Sequence, residues 1–442
     1  VAHPLFLAKL LIKSGMARFL PTVQRWTDGG AAFLRYYSDR ILAAPHEELR
    51  DAAAFLEYNG PDAIDLALGA PRFDLVPSGS TKLPADRRGW PPVWGLPELR
   101  EAVAEKSQTD RQLTVCPTDE VLITPGGAGA FSLALDTFVN PGDRVVLFDP
   151  TSPLYVLMLR QRRARTRWIS TWMDNGRTSF RLDHLAKALH GARLVVVNSP
   201  ANPTGGIISA DDLEQIAWWA HRRDVLIYSD EVFERYQYDG RAVSLASLPR
   251  ARQRTLTAGS MSKGHGLASA RVGWLAGNRH LMRPCALTAA LQSPFVPTLC
   301  QQIALTALQQ GEKLFQPIRA AFDSRRRYTF ERLQALGLKP AWPGGAYFFW
   351  LAVEEIGWRG KEFAKQLLRA KNVLLTPGDF FGPSGNGFVR LSYATEDGRL
   401  REGLSRLAEF LRGQSELPTA CVADGRRSDR CLAAPHTRLS AS

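Results

Sequence analysis

From about residue 64 onward, short β-branched or apolar runs alternate with stretches of helical periodicity, and this alternation constrains the fold more than any other feature of the chain. Val121 to Thr124, Arg144 to Phe148, Leu194 to Asn198 and Val225 to Ser229 each lead into a turn. Strands separated by crossover helices pair in parallel, so the expected fold is α/β, a mostly parallel sheet flanked by helices. In such sheets ligands bind beyond the carboxyl ends of the strands, which places the chemistry just after each run. After about residue 310 the pattern changes to a charged helix around Ala321 to Leu336, a Gly-rich strand at Gly344 to Leu351, another helix, and a strand at Phe388 to Tyr393. This reads as a smaller α+β domain. The division is then a helical N-terminal arm over 1–60, a large domain over 61–310, a small domain over 311–413 joined by part of the N-terminal segment, and a tail over 414–442. The tail is rich in Ser, Ala, Arg and Pro without periodicity and is expected to be disordered.

A chain of 442 residues exceeds one compact core, and 45% hydrophobic with 22% charged residues is a globular composition. The net charge of +13 invites a nucleic-acid reading, but the basic residues are scattered and no nucleic-acid-binding motif accompanies them, so no such partner is expected. The densest group, Arg160, Arg162, Arg163, Arg165 and Arg167, reads as a solvated helix end. Cys116, Cys285, Cys300, Cys421 and Cys431 are far apart and lack metal-ligand spacing, which points to a reducing, cytoplasmic setting without a metal site. No uncharged apolar run reaches the ~18 residues of a membrane span. Lysines interrupt the apolar stretch Leu5 to Lys13, which is expected to pack on a partner subunit.

Three segments fall where strands end. Asn198-Ser199-Pro200-Ala201-Asn202-Pro203-Thr204-Gly205-Gly206 follows one buried run, Tyr228-Ser229-Asp230-Glu231 closes another, and Ser260-Met261-Ser262-Lys263 precedes Ala270-Arg271-Val272-Gly273-Trp274. Singly these read as a tight turn, a helix N-terminus or metal site, and a surface lysine. In this order and spacing they resemble the class I/II aminotransferases, the fold-type-I family of pyridoxal 5′-phosphate (PLP) enzymes. The resemblance runs from about residue 60 to 412. It includes Gly95-Leu96-Pro97-Glu98-Leu99-Arg100-Glu101-Ala102, Pro343-Gly344-Gly345-Ala346-Tyr347-Phe348, and Pro377-Gly378 leading to Val389-Arg390-Leu391-Ser392-Tyr393.

The resemblance implies a reaction that moves an amino group between an L-amino acid and a 2-oxo acid, with Lys263 joined to the cofactor as a Schiff base and shuttling a proton. Asp230 would keep the cofactor's ring nitrogen protonated. Gly127 and Ala128 at a helix N-terminus, Ser260 and Arg271 would hold the phosphate. Asn202 would contact the cofactor's phenolic oxygen and the substrate carboxylate, Arg390 would bind that carboxylate with its planar fork, and the backbone of Gly69 would lie close to the substrate. Relatives form homodimers, and the same is expected here.

Three aromatics of the family differ. Phe233 stands where a tyrosine usually bonds the phenolic oxygen, and losing that donor predicts a raised pKa for the cofactor–lysine imine. Ser152 replaces an aromatic that stacks on the ring, with Tyr155 a substitute only if the turn is reshaped. Trp90 stands where a tyrosine reaches the phosphate across the subunit boundary, and its indole still donates one bond. The alternative to transamination is a PLP lyase or oxidase acting at Cα or Cβ on the same fold. A regulator on this fold would carry an N-terminal DNA-binding domain, and the first ~60 residues show no helix-turn-helix pattern. Trp90, Trp94, Phe295 and Tyr347 could line an apolar pocket, but core packing is the expected role for any one of them, and no motif marks the amino acid or the 2-oxo acid used.

Overall fold

The computed structural model describes residues 62–69, 71, 89–240 and 243–415. The expected N-terminal arm lies outside these residues, as does all of the expected tail except its first two positions. Those two belong to a helix, Asp397–Ser415.

Among the described residues the strands are β1 (Ile64–Asp65), β2 (Val121–Thr124), β3 (Arg144–Asp149), β4 (Arg165–Asp174), β5 (Arg177–Phe180), β6 (Leu194–Asn198) and β7 (Leu226–Asp230). They continue with β8 (Thr255–Ser260), β9 (Gly273–Gly277), β10 (Phe348–Ala352), β11 (Val373–Leu374), β12 (Thr376–Pro377) and β13 (Phe388–Ser392). The large sheet has the order β2-β9-β8-β7-β6-β3-β4-β5. Its middle, from β8 to β4, is parallel throughout. β9 runs antiparallel between β2 and β8, and β5 closes the far edge antiparallel to β4.

Why the centre is buried on both faces follows from its residues. Along β3 and β6, Val145, Leu147, Leu194 and Val196 point into one apolar cluster, whereas Val146, Val195 and Val197 point into another. Helices cover both sides, as a parallel sheet requires. One of them, Ala210–Arg222, starts where the Ser209 hydroxyl accepts the Asp212 amide at 3.1 Å, and buries Leu213, Ile216, Ala217 and Ala220 at helical spacing. Replacing Ser209 by alanine should cost about 1 kcal/mol in a denaturant titration.

A second, three-stranded sheet, β10-β13-β12, and the pair β1-β11 form the smaller unit. Its core joins Ile64 and Leu66 to Phe349, Leu351, Val389, Leu391 and Leu404. The N-terminal segment is therefore built into this unit. It is tied there by Ile64 N donating to Asn372 O at 2.8 Å and Ser392 N donating to Leu66 O at 2.7 Å.

Several expected boundaries move. Val225 is outside β7 because its amide is taken by Ala220 O, at the end of the preceding helix, at 2.9 Å. The charged helix runs from Gly311 to Ala335 with Pro317 inside it, longer than the stretch around Ala321 to Leu336. The Gly-rich strand begins only at Phe348, since Gly345 N bonds Gly205 O and Gly344 O accepts from Tyr238 N instead of joining the ladder. The arginine group is not uniformly a solvated helix end. Arg162 forks onto Asp136 at 2.7 Å with both nitrogens, and Arg167 lies on β4 and bonds the carbonyls of Ala188 and His190.

Candidate active site

The carboxyl ends of β6, β7 and β8 set Asn198, Asp230 and Ser260 along one edge of the sheet, with Asn198 opposite Asp230 in register. Of the two acids that close β7, Glu231 turns away. It ion-pairs with Arg111 and accepts from Ser229 Oγ, Ser244 Oγ and the Leu245 amide. Asp230 is thus left to the site.

The Asp230 carboxylate is buried and accepts the Tyr155 hydroxyl at 2.5 Å and the Val232 amide at 3.2 Å. Burial raises its pKa, while the Tyr155 hydroxyl, the Val232 amide and the charge of Lys263 pull it down. Tyr155 comes from the helix Pro153–Gln161, with its ring edge-on to Phe131 at 4.9 Å. Its hydroxyl is committed to the carboxylate. In Tyr155→Phe the carboxylate loses a donor that favours its charged form, so its pKa rises further. The acid limb of a kcat/KM profile should then move to higher pH, with about a tenfold loss at neutral pH.

Lys263 sits in the turn Met261–Gly264, which Ser260 caps by accepting the Ser262 amide at 3.1 Å. Its amine donates to Gly69 O at 2.6 Å and lies 6.0 Å from the centre of the Phe233 ring. Burial, then the nearby Arg390 cation, lower its pKa to about 8 against the pull of Asp230, and Arg271 adds a further small push in the same direction.

Beside it, the helix Gly126–Phe138 begins directly after β2. A Cβ on Gly126, whose φ is +72°, would lie 2.5 Å from Arg271 Nη2, and one on Gly127 would meet Val232 at 3.3 Å and Ser260 at 3.7 Å. Arg271, itself left-handed at φ 52°, bonds the carbonyls of Ala268 at 2.9 Å and Pro125 at 3.3 Å. The expected phosphate residues, Gly127, Ala128, Ser260 and Arg271, therefore gather around one helix N-terminus with a guanidinium over it. This is anion-binding geometry.

On β13, Arg390 is buried with its guanidinium against the faces of Phe348 at 4.4 Å and Phe381 at 4.9 Å. It donates to Asn202 Oδ1 at 2.7 Å, Ala67 O at 2.6 Å and Thr376 Oγ1 at 3.3 Å, and its buried Nε has no partner among the described residues. Burial lowers its pKa to about 10, still well above neutrality. Gly69 lies against Tyr347 and Phe348, where a Cβ would come within 2.8 Å of the Phe348 ring.

The structure thus brings Gly69, Gly127, Ala128, Asn202, Asp230, Phe233, Ser260, Lys263, Arg271 and Arg390 to one place. Trp90 is apart. It is 86% exposed and rests on Phe295, with ring centres 5.1 Å apart. The sequence reading did not assign Tyr155 as a partner of Asp230, nor Thr376, Phe381 and the Ala67 carbonyl as the bed of Arg390. Tyr347, expected in core packing, also puts its hydroxyl on Gly69 O at 2.8 Å.

A family model described as "Aminotransferase class I and II" matches residues 61–407. The chain belongs to this family. Among relatives of these aminotransferases, it is 31% identical over 388 residues to an aspartate aminotransferase of Pyrococcus abyssi, covering 85% of this chain and 98% of the relative. It is 30% identical to aromatic-amino-acid aminotransferase 2 of Thermococcus litoralis over the same shares. The solved aromatic aminotransferase of Pyrococcus horikoshii superposes with a TM-score of 0.76 at 29% identity, covering 84% of this chain and 99% of that one. The expected aminotransferase fold and enzyme class are both shown. No helix among the described residues is long and apolar enough to cross a membrane.

Proposed function

We propose that this aminotransferase uses PLP carried on Lys263 to move the amino group of an L-amino acid to a 2-oxo acid. The observation that carries this reading is the Lys263 amine, hydrogen-bonded to Gly69 O at 2.6 Å and within electrostatic reach of the Asp230 carboxylate and the Arg390 guanidinium. When bound, the cofactor supplies an electron sink for the electrons left at Cα.

The residues fit such a group. The Gly126–Ala128 amides, the Ser260 hydroxyl and Arg271 would hold its phosphate, in a cradle that a Cβ at position 126 would fill. Asp230, fixed by Tyr155, would keep a proton on the ring nitrogen, because an adjacent negative charge favours the charged form. Arg390, which Asn202, Ala67 and two aromatic rings hold in place, would take the substrate's α-carboxylate, and its Nε, without a partner among the described residues, is a donor in reserve. Lys263, whose pKa burial and the Arg390 cation lower, would move the proton between Cα of the substrate and C4′ of the cofactor.

Adding one amino acid without an acceptor tests the reading. One equivalent of pyridoxamine phosphate per site is expected; continuing release of ammonia would instead establish a lyase or oxidase. The reading includes a cytoplasmic homodimer. The homodimer is supported by the exposed Trp90 and by Leu287 at 65% and Leu291 at 80% exposure, one turn apart on one helix. Light scattering should return twice the mass of the chain, and the mass of one chain would count against it.

A further inference from the structure

Lys263 and Tyr347 converge on one oxygen. The amine of Lys263 donates to the Gly69 carbonyl at 2.6 Å, and the Tyr347 hydroxyl donates to the same carbonyl at 2.8 Å. Tyr347 is fully buried, packed edge-on against Phe233 at 5.4 Å and Tyr236 at 5.0 Å, so its hydroxyl has little freedom to go elsewhere. Phe233 has no polar atom to offer, and the Tyr236 hydroxyl is turned to the backbone carbonyl of Lys263 at 3.1 Å. Tyr347 is accordingly the side-chain hydroxyl that shares the amine's own acceptor.

A partly buried carbonyl such as Gly69 O still loses stability when its donor leaves, and a carbonyl that accepts from an ammonium favours the charged lysine. For Lys263 to act, its nitrogen must leave Gly69 and be neutral. With Tyr347 present, Gly69 O keeps a donor when the amine departs. Without it, the carbonyl has the ammonium alone.

We infer that Tyr347 is a positioning residue for Lys263: its hydroxyl holds the Gly69 carbonyl and so releases the amine for bond formation. The other charged groups that act on the amine are Asp230, which favours its charged form, and Arg390 and Arg271, which disfavour it. Neither Asp230 nor Arg271 makes a hydrogen bond to the Tyr347 hydroxyl among the described residues, whereas Arg390 is electrostatically coupled to it. The assignment rests on Lys263 being the cofactor-bearing lysine.

The test is the pH dependence of cofactor capture. Apo-protein is mixed with PLP, and the rate at which the absorbance of the cofactor–lysine linkage appears is measured from acid to alkaline pH, for the parent and for Tyr347→Phe. The substitution removes one oxygen and leaves the ring. The expected result is a midpoint displaced upward by about one pH unit, with capture about tenfold slower on the acid side of the profile. A superimposable profile overturns the assignment of Tyr347, and does so whether or not the variant melts at a lower temperature, since a loss confined to packing does not displace a titration midpoint. Lys263→Ala separates this from the larger reading. If that variant still forms the absorbing linkage, the cofactor is carried elsewhere and both conclusions fall. If it does not, while Tyr347→Phe matches the parent, only Tyr347 is wrongly placed.

Discussion

Replacing Lys263 by alanine should lower kcat by at least about 10³-fold and leave borohydride with no reduced cofactor adduct on the chain. The reason is double duty. In the proposed role the same nitrogen would both carry the cofactor and move the proton, so its loss would remove attachment and acid–base catalysis together. The phosphate and ring contacts proposed for Arg271 and Asp230 would not involve that nitrogen, so cofactor retention after gel filtration should fall far less than turnover does. Adding a small primary amine should restore part of the activity, because the cavity left by the side chain opens onto Gly69 O, which held the original amine. Undiminished turnover in the alanine variant, verified by mass spectrometry, would refute the role of Lys263 outright.

The second large effect is expected at Arg390. Arg390→Lys keeps a positive charge but gives up the planar fork that serves Asn202, Ala67 and Thr376 at once and lies flat between Phe348 and Phe381. An ammonium is a compact point charge and cannot occupy that slot equivalently. Disrupting a buried, hydrogen-bonded charge site of this kind costs about 2–5 kcal/mol, roughly 30- to 5,000-fold in kcat/KM. The loss should appear mainly in KM for the amino acid, with the absorbance of the bound cofactor unchanged. A loss in kcat alone, with KM held, would show that the α-carboxylate binds elsewhere.

What could be read from the sequence divides along physical lines. β6 was legible to the residue because every position from Leu194 to Asn198 is buried in a parallel sheet, and such strands are continuous apolar runs. Asp230, Lys263, Asn202, Arg271 and Arg390 were legible because each lies in a local motif that ends a strand or follows one. β9 was not foreseen as an antiparallel insertion, since Gly273-Trp274-Leu275-Ala276-Gly277 carries no mark of direction. Nor was the bond from Tyr155 to Asp230, whose partners are 75 residues apart, or that from Tyr347 to Gly69, 278 residues apart. Contacts of that span depend on how elements pack, and periodicity reports only which face of an element is apolar. Start positions failed where the backbone had other obligations, as at Val225 and at Gly344-Gly345.

The short N-terminal segment from Ile64 to Gly69 is hydrogen-bonded into the smaller unit, yet its last residues reach the two cations of the site: Ala67 O accepts from Arg390, and Gly69 O accepts from Lys263 two residues later. Arg390 and Lys263 are therefore anchored to carbonyls two residues apart on one short length of backbone. Under the proposed function, an anion docked on the guanidinium would be felt at the amine through that shared backbone.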